Sequence, residues 1–359
     1  MKAALCYEFG KPLVIEKVTI SGPKQGEIKV KLAACAICHS DIHFMEGAWG
    51  GPLPALYGHE AAGIVVEVGS GVNQIKQGDN VIVTLLRSCG RCYFCTQGDP
   101  HLCETAFPRD KESPIHTKEG QPVFQAMHTG AFAEYVVVDQ SQAVTLPPEM
   151  PLDSASLLSC GVITGMGAVV NTAQVTLGSS VVVIGTGGVG LNSVQGARLS
   201  GAQPIIAIDL IDSKLDAAKL FGATHGINSA EENAREAIYH LTGGRGADFV
   251  FVTVGSAAAM EQGLAYLRRG GSLVLVGMPP SGVKMAVEVI NFAYHNQQIL
   301  GSRMGSTRLS VDIPKWVALY QQGRLKLDEL ITARYPLEEI NEAIAAVKRG
   351  DALRNVIIF

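Results

Sequence analysis

The chain has 359 residues, of which 47% are hydrophobic and 17% charged, so it has enough apolar side chains for a large core and a length that predicts two domains. Its formal charge of -4 supplies no basic surface for nucleic acid or anionic lipid, and neither is expected as a partner. No apolar leader with a cleavage site precedes the eight cysteines. We therefore expect a cytoplasmic protein whose thiols bind metal rather than form disulfides.

Short strands separated by turn residues are predicted over the first 150 residues. The stretch 1–16 has the pattern of a strand pair, and later runs alternate apolar with polar residues between Gly, Pro, Asp and Asn. This pattern indicates a mostly antiparallel, barrel-like domain. The alternating runs are 27–32, 62–68, 80–85 and 132–138.

After Thr164 the pattern changes to apolar strands that alternate with helices. Near-continuous apolar runs favour parallel strands covered on both faces, so this region predicts an α/β fold with a doubly wound parallel sheet. The predicted strands are 181–184, 205–208, 249–254 and 273–276, with helices at 212–221 and 260–268. Helices at 311–321 and 337–348 and a strand at 355–359 follow.

Two uncharged stretches, 154–173 and 179–197, are about as long as a membrane span. Both contain several Gly, Ser, Thr and Asn residues, which are unfavourable in a lipid-facing helix. We interpret them as buried segments of a soluble protein, and no membrane partner is expected.

A glycine motif follows the predicted strand at 181–184. Gly185, Gly187 and Gly190 match G-x-G-x-x-G, with Gly188 and Val189 between them, and Asp209 closes the next strand nineteen residues later. This context favours a dinucleotide site in which helix amides bind a pyrophosphate and the acid binds a ribose, which predicts NAD(H) over NADP(H). The alternative is a glycine-rich turn without a ligand.

Four thiols occur within fifteen residues, at Cys89, Cys92, Cys95 and Cys103. Four thiolates in one short loop favour a closed, structural zinc site. An iron-sulfur cluster is the competing metal, although its usual spacing and proline are missing here. Free thiols remain the simplest alternative.

A second group of potential ligands is dispersed along the chain: Cys38, His59 and Cys160. Individually, Cys160 could be a core thiol, His59 a hydrogen-bonded loop histidine, and Cys35 with Cys38 a redox pair. Their spacing alone does not bring them together.

The order of six motifs resembles that of the zinc-dependent alcohol dehydrogenases of the medium-chain dehydrogenase/reductase family, from end to end of the chain. The motifs are Cys38-x-Ser40-Asp41-x-His43, Gly58-His59-Glu60, the four-cysteine loop, Ser159-Cys160-Gly161 with Thr164, the glycine fingerprint, and Val276-Gly277-x-Pro279-Pro280. The resemblance implies a GroES-like catalytic domain of residues 1–162 and 303–359 with a zinc lobe at 87–105. It also implies a Rossmann cofactor domain at 163–302.

By this resemblance each chain holds two Zn²⁺ ions and NAD(H). Cys38, His59 and Cys160 hold the catalytic zinc with a fourth position open, Asp41 orients His59, and Glu60 lies behind the metal. A zinc-bound alcohol then loses its proton readily and transfers a hydride to NAD⁺. The proton leaves through Ser40, a ribose hydroxyl and His43.

The resemblance also assigns cofactor contacts along the whole chain. Asp209 and Lys214 would contact the adenosine ribose, and the other assigned residues contact the pyrophosphate (Arg354 and His39) or surround the nicotinamide (Val189, Thr164, Val276 and Gly277). His39 replaces an arginine common in relatives, so cofactor binding is expected to weaken as pH rises through neutrality.

Rough alignment places Trp49, Leu85, Ala126 and Met127 in the substrate pocket. This apolar set suits a primary or secondary aliphatic or aromatic alcohol, oxidised reversibly to an aldehyde or ketone, better than a polyol. The alternatives are a polyol, formaldehyde or cinnamyl-type dehydrogenase, or a non-catalytic NAD(H)-binding regulator.

We also expect a homo-oligomer, a dimer or tetramer, in which the strand after Gly271 pairs across a two-fold axis.

Overall fold

A computed structural model describes all residues, 1–359, and divides them into two compact units. The first unit comprises Met1–Cys160 and Arg308–Phe359, and the second comprises Gly161–Thr307. These limits differ by a few residues from the sequence-based limits at 162 and 303.

Strands and helices are numbered in chain order. The strands are β1 (Lys2–Cys6), β2 (Val14–Lys17), β3 (Thr19–Ile20), β4 (Glu27–Ala36), β5 (Ala55–Leu56), β6 (Glu60–Val68), β7 (Asn80–Val83), β8 (Ile115–His116), β9 (Phe124–Gln125), β10 (Tyr135–Asp139), β11 (Ala143–Thr145), β12 (Val181–Ile184), β13 (Ile205–Asp209), β14 (His225–Asn228), β15 (Ala247–Val252), β16 (Leu267–Leu275), β17 (Gln298–Gly301), β18 (Ile331–Pro336) and β19 (Arg354–Ile358). The α-helices are α1 (His39–Met45), α2 (Tyr93–Gln97), α3 (Leu152–Ser156), α4 (Gly161–Gly167), α5 (Gly188–Leu199), α6 (Asp212–Phe221), α7 (Ala234–Leu241), α8 (Ala257–Tyr266), α9 (Val289–Tyr294), α10 (Leu309–Gln321) and α11 (Ile340–Arg349).

The first unit is built on a mostly antiparallel sheet in the order β11-β7-β6-β4-β19-β18, with β10 also paired to β4. A smaller sheet has the order β2-β1-β5-β9. Side chains from these strands form one apolar core that includes Leu5, Ile28, Leu56 and Phe132. The predicted barrel-like, GroES-like architecture is confirmed, and the last strand returns to pair with β4.

The second unit contains a six-stranded parallel sheet in the order β14-β13-β12-β15-β16-β17. The central strands β12, β13 and β15 are mostly buried, as their continuous apolar sequences predict, whereas the edge strands β14 and β17 are mostly half-buried or exposed. Successive strands are added on one side of β12 as far as β14 and then on its other side from β15 onward, so the switch point at which doubly wound sheets bind ligands lies between β12 and β15. The predicted doubly wound fold is therefore confirmed.

Residues at the ends of the helices explain which helix limits the sequence could predict. Helix α6 spans the predicted residues and ends at Gly222, whose φ of 117° is the left-handed conformation that glycine favours. The helix predicted at 337–348 instead begins with a 3-10 turn at Leu337–Glu339 before α11.

The expectation that the strand after Gly271 pairs with a second copy across a two-fold axis was wrong. The strand after Gly271 is β16, which already pairs with β15 on one side and β17 on the other. The outer edge of this sheet is β17, because it pairs with β16 alone.

The two uncharged stretches noted in the sequence are broken into shorter, largely buried segments. None of the helices alone is sufficiently long and apolar to cross a membrane. A bent pair, Leu152–Ser159 with Gly161–Thr172, meets the criteria by length and composition only.

Candidate active site

The register between β4 and β6 brings two dispersed ligand residues together. Ala36 at the end of β4 lies opposite Glu60 at the start of β6. Cys38 therefore follows one strand at the point where His59 precedes the other. Gly58 adopts a φ of 93°, and a side chain there would approach the backbone nitrogen of Phe132 to 2.6 Å, so this turn requires glycine.

Cys160 is brought to the same place by hydroxyl groups around its neighbour. The Ser159 hydroxyl donates to the carbonyl of Ala61 in β6 at 2.9 Å, and the Thr84 hydroxyl donates to the Ser159 carbonyl at 2.6 Å. These bonds connect three segments that are remote in sequence, which explains how thiols 122 positions apart, at 38 and 160, become neighbours.

The ligand atoms of Cys38, His59, Glu60 and Cys160 all lie within 4.8 Å of one another, and all four residues are buried. His59 Nδ1 lies 3.0 Å from Asp41 Oδ1, whereas its buried Nε2 has no hydrogen-bond partner. A buried imidazole nitrogen left without a partner among two thiols is the donor set that a zinc ion satisfies. The residues present therefore fit a metal with two sulfur ligands and one nitrogen ligand.

Asp41 organises this cluster through three bonds. Besides the imidazole of His59, its carboxylate accepts from the backbone amides of Cys38 at 3.1 Å and Gly58 at 2.9 Å. A carboxylate on Nδ1 makes that nitrogen the donor and leaves Nε2 as the free electron pair that a metal needs.

The metal-free cluster is strongly polarised. A hydrogen bond from Cys160 holds the pKa of Cys38 well below its usual range, while the same bond and burial raise the pKa of Cys160. Burial alone would lower the pKa of His59, but the charge of Asp41 and the bond to it raise that pKa well above its usual value. The site thus stabilises at least one thiolate before a metal binds.

Glu60 is fully buried and forms an ion pair with Arg354, which is itself 6% exposed. Burial raises the pKa of Glu60 to about 7 even though the Arg354 charge opposes the shift. Arg354, which the resemblance assigns to the pyrophosphate, therefore has a carboxylate partner beside the metal ligands.

The first helix carries the three residues assigned to proton relay and pyrophosphate contact. His39 is exposed, and Ser40 and His43 are half-buried along α1. The His43 ring lies 5.3 Å from that of Trp49, which also makes an edge contact with Phe44 at 4.9 Å.

The other residues assigned to a substrate pocket differ in their surroundings. Leu85 is half-buried, whereas Ala126 is 1% exposed within the apolar core of the first unit. Met127 packs partly against that core and has a φ of 49°, which is uncommon for a residue other than glycine.

The four cysteines of the loop, Cys89, Cys92, Cys95 and Cys103, also have ligand atoms within 4.8 Å of one another, but all are only half-buried. Their sulfur atoms accept several short-range bonds, including those from the Cys92 amide to Cys89 at 3.2 Å and the Cys89 amide to Cys103 at 3.4 Å. Four thiols with amide donors fit a closed zinc site.

Thr105, just after the last of these cysteines, adds a further donor. Its hydroxyl lies 2.9 Å from Cys89 Sγ and is the leading reason why the pKa of Cys89 falls to about 6. In contrast, burial raises the pKa of Cys95 to about 12. The surroundings of this loop therefore favour the thiolate of Cys89 and disfavour that of Cys95.

The glycine fingerprint forms the turn from β12 into α5. Gly185 has a φ of 87°, and a side chain at Gly190 would meet the carbonyl oxygen of Gly185 at 1.8 Å. A side chain at Gly187, which precedes the helix, would meet nothing within 4 Å. Two glycines therefore allow the tight turn, while the third leaves space where a phosphate can approach the helix terminus.

Asp209 ends β13 as predicted and is held in place by its neighbours. Its Oδ2 accepts from the Thr186 amide at 2.8 Å and hydroxyl at 3.0 Å, and its Oδ1 accepts from the Leu210 amide at 2.8 Å. Lys214 is half-buried on the following helix and has no carboxylate partner.

The remaining cofactor candidates in the second unit lie in closely packed surroundings. Thr164 on α4 faces Met304, with 3.7 Å between the hydroxyl oxygen and the sulfur. A side chain at Gly165 would meet the Val189 carbonyl oxygen at 2.3 Å, so α4 approaches α5 closely. Val276 is 7% exposed, and a side chain at Gly277 would meet the backbone of Val254.

Sequence reasoning missed several supporting residues. Thr84, Thr105 and Thr186 each donate a hydroxyl hydrogen bond at a predicted site, and Thr253 donates to the Gly185 carbonyl at 2.7 Å. Of these, only Thr105 and Thr186 could have been proposed from the sequence, because Thr105 lies two residues after Cys103 and Thr186 lies inside the glycine fingerprint.

Two family models match the chain. Residues 24–148 match the alcohol dehydrogenase GroES-like domain, and residues 188–322 match the zinc-binding dehydrogenase domain. Together they cover more than half of the sequence.

Curated relatives and solved structures match over nearly the full length. The chain is 36% identical to an alcohol dehydrogenase class-3 of Cereibacter sphaeroides, covering 100% of this chain and 99% of that protein. It is also 36% identical to an S-(hydroxymethyl)glutathione dehydrogenase of Saccharomyces cerevisiae, covering 99% and 95%. Among structures, benzyl alcohol dehydrogenase from Acinetobacter calcoaceticus has a TM-score of 0.93 at 32% identity, covering 100% and 99%.

Proposed function

Because the chain belongs to the zinc-dependent alcohol dehydrogenases of the medium-chain dehydrogenase/reductase family, we propose that it oxidises alcohols reversibly with NAD⁺. The observation that carries this proposal is the buried cluster of Cys38, His59, Glu60 and Cys160. Two thiols and one imidazole make three ligands, and a closed structural site would have a fourth thiol or imidazole in place of the carboxylate of Glu60.

Cys38, His59 and Cys160 would hold the catalytic zinc. When bound, zinc acts as a Lewis acid on the oxygen of an alcohol or carbonyl substrate. Asp41 fixes the tautomer of His59, and Arg354 neutralises Glu60, which limits how strongly this fourth side chain competes for the metal.

Proton transfer is assigned to α1. Ser40 lies two residues after a metal ligand, and His43 lies one helical turn further on the same helix. A hydroxyl can pass a proton by accepting one and donating another, and an imidazole can exchange it with water near neutral pH. We therefore assign Ser40 the inner position and His43 the outer position of a relay.

NAD(H) is proposed as the cofactor, with the pyrophosphate at the start of α5. The carboxylate of Asp209 can accept from ribose hydroxyls but would repel a 2′-phosphate, so NADP(H) should bind more weakly. Val189, Thr164, Val276 and Gly277 remain the candidates around the nicotinamide, and Lys214, His39 and Arg354 remain candidates for the ribose and pyrophosphate.

The proposed substrates are primary or secondary alcohols with an apolar aliphatic or aromatic group. Of the four residues assigned to the pocket, Trp49, Leu85 and Met127 offer carbon surfaces and no charged group, whereas Ala126 is 1% exposed and belongs to the apolar core beneath. Because the metal cluster lies in the first unit and the glycine fingerprint in the second, we assign residues 1–162 with 303–359 to the catalytic domain and residues 163–302 to the cofactor domain.

We also propose a homo-oligomer that pairs through β17. This edge strand is preceded in the chain by α9, whose side chains Val289, Ile290 and Tyr294 are each more than 70% exposed. An unpaired edge beside such side chains favours pairing with a second copy. Light scattering coupled to size exclusion tests this, and a monomer at micromolar concentration would reject it.

The function is tested by following NADH formation over a panel of alcohols with NAD⁺ and with NADP⁺. We expect turnover of apolar primary alcohols and a clear preference for NAD⁺. A parallel assay with formaldehyde and glutathione tests the activity named for the yeast relative. Turnover only in that assay would replace the proposed substrate class, and no turnover in any assay would favour a non-catalytic NAD(H)-binding protein.

A further inference from the structure

A cleft of about 1290 Å³ lies in the second unit, away from the glycine fingerprint. Residues just before or at the start of four strands line it, including Ser180 before β12, Pro204 before β13, Asp248 in β15 and Gln297 before β17. We call it the amino-edge cleft.

The topology places this cleft opposite the proposed cofactor site. All strands of this sheet are parallel, so their first residues lie along one edge and their last residues along the other. The fingerprint follows the carboxyl end of β12, whereas the cleft is lined by the amino ends. A ligand of the cleft would therefore be separate from a cofactor at the switch point.

The acidic groups of the cleft already have partners. Asp248 accepts from the Ser180 amide at 2.8 Å and from Arg268 Nε at 2.6 Å. Glu261 accepts from the Ala286 amide at 2.7 Å, and Glu288 accepts from the side chain of Asn291. Arg268 offsets the charge of Asp248, whereas Glu261 and Glu288 bond only neutral groups and keep their negative charge. The cleft therefore contains one more arginine than carboxylates.

Three arginines of the cleft have no carboxylate partner. Arg235 lies over the ring of Tyr239 at 5.3 Å, and Arg269 lies over the ring of Tyr294 at 5.6 Å. Stacking on an aromatic face leaves the in-plane N–H groups of a guanidinium free to donate. Arg245 projects from the glycine-rich loop at 242–246, is exposed, and has neither an ion pair nor a ring contact.

These residues come from separate elements: Arg235 from α7, Arg245 from the following loop, and Arg269 from β16. Their charges face one volume that exceeds the roughly 300–1000 Å³ usual for small-molecule sites. Arginine binds phosphate and carboxylate groups through paired N–H donors, and several arginines together favour a multiply charged anion.

We propose that the amino-edge cleft binds a small polyanion carrying two or more phosphate or carboxylate groups. Arg235, Arg245 and Arg269 supply the donors. The proposal does not depend on which alcohol the protein oxidises, because the binding residues are distinct from those of the metal cluster and fingerprint.

Calorimetric titration of the zinc-loaded protein, saturated with NADH, tests the proposal. The probes are a hexose bisphosphate and tricarballylate, which chelate zinc weakly and distinguish phosphate from carboxylate chemistry. We expect one site per chain for at least one probe, with affinity that falls as salt is added. Arg245→Gln and Arg269→Gln should each weaken binding roughly tenfold, because each removes a charge-assisted bond.

Lys118→Gln is the matched control, since Lys118 is an exposed cation of the other unit without an ion pair. It should leave the affinity unchanged. Absence of binding by both probes would overturn the proposal. Binding that Arg245→Gln and Arg269→Gln leave as tight as in the wild type would also overturn it, since these arginines would then not contact the anion.

Discussion

The two cysteine-containing clusters of the first unit use similar atoms in opposite settings. Cys38, His59 and Cys160 are buried and come from three remote segments, whereas the four thiols of the loop are half-buried and lie within fifteen residues. The buried cluster includes an imidazole and a carboxylate, while the loop offers sulfur alone. The difference indicates one site that can accept a further ligand and one that is already complete.

Their supporting residues differ in the same way. The buried ligands are oriented by charged side chains, since Asp41 bonds to His59 and Arg354 pairs with Glu60. The loop thiols are supported mainly by backbone amides and by the Thr105 hydroxyl. Charged partners tune reactivity, whereas amide donors simply stabilise thiolates, so substitutions in the two clusters should have different consequences.

The largest effect is expected from Cys160→Ala. Loss of one of three ligands should remove the catalytic zinc and reduce turnover by roughly a thousandfold, because Lewis-acid activation contributes several kcal/mol. Zinc analysis should fall from two ions per chain to one. Cys35→Ala, at a buried thiol outside either cluster, is the control and should retain both ions. Normal turnover in a Cys160→Ala protein would remove this cluster from the chemistry.

Asp41→Asn should have the next largest effect. The substitution weakens the bond that orients His59, and changes at such positions typically cost 10–100-fold in metal affinity or activity. Competition with a zinc chelator should therefore strip one ion more readily than in the wild type. Asp79→Asn, which alters a surface turn, should behave as the wild type. Unchanged zinc retention would show that Asp41 serves only the local backbone.

Cys103→Ala should separate stability from catalysis. We expect loss of the loop zinc and a fall of the thermal midpoint by roughly 5 °C, since the metal crosslinks the loop. Turnover per folded molecule should stay within about twofold, because no reacting group is removed. A loss of turnover comparable to that of Cys160→Ala would contradict the division between an open and a closed site.

The smallest effect concerns ionisation within the loop. With zinc removed, alkylation of Cys89 should rise with pH around a midpoint of about 6, since only the thiolate reacts. Thr105→Val removes the leading stabilising bond, so the midpoint should move upward and the rate at neutral pH should fall roughly threefold. Thr96→Val, whose hydroxyl bonds to carbonyl oxygens on the same loop, should not change the rate. An unaltered midpoint in Thr105→Val would assign the low pKa to the backbone amides.

The same contrast explains what the sequence could reveal. The loop cysteines and the glycine fingerprint are local motifs, so spacing alone predicts that their members meet. Cys38, His59 and Cys160 meet only through the pairing of β4 with β6 and the bonds around Ser159, which no spacing encodes. Their grouping was predictable only from the family resemblance.

Other features depended on tertiary structure altogether. The pair of Glu60 with Arg354 requires the last strand to return beside β4. The edge position of β17 was hidden because the strand has only four residues, of which two, Ile299 and Leu300, are apolar, which is too short a run to predict a strand. In contrast, α6 was predictable to its last residue, since an amphipathic run ends at a glycine that adopts the left-handed conformation.

Cobalt substitution gives the most direct test of an open site beside a closed one. Co²⁺ in place of zinc absorbs visible light in a manner sensitive to its ligands. We predict that adding an alcohol substrate changes only the absorption bands that are lost in Cys160→Ala. A change confined to the bands lost in Cys103→Ala, or no change in either set, would contradict the account.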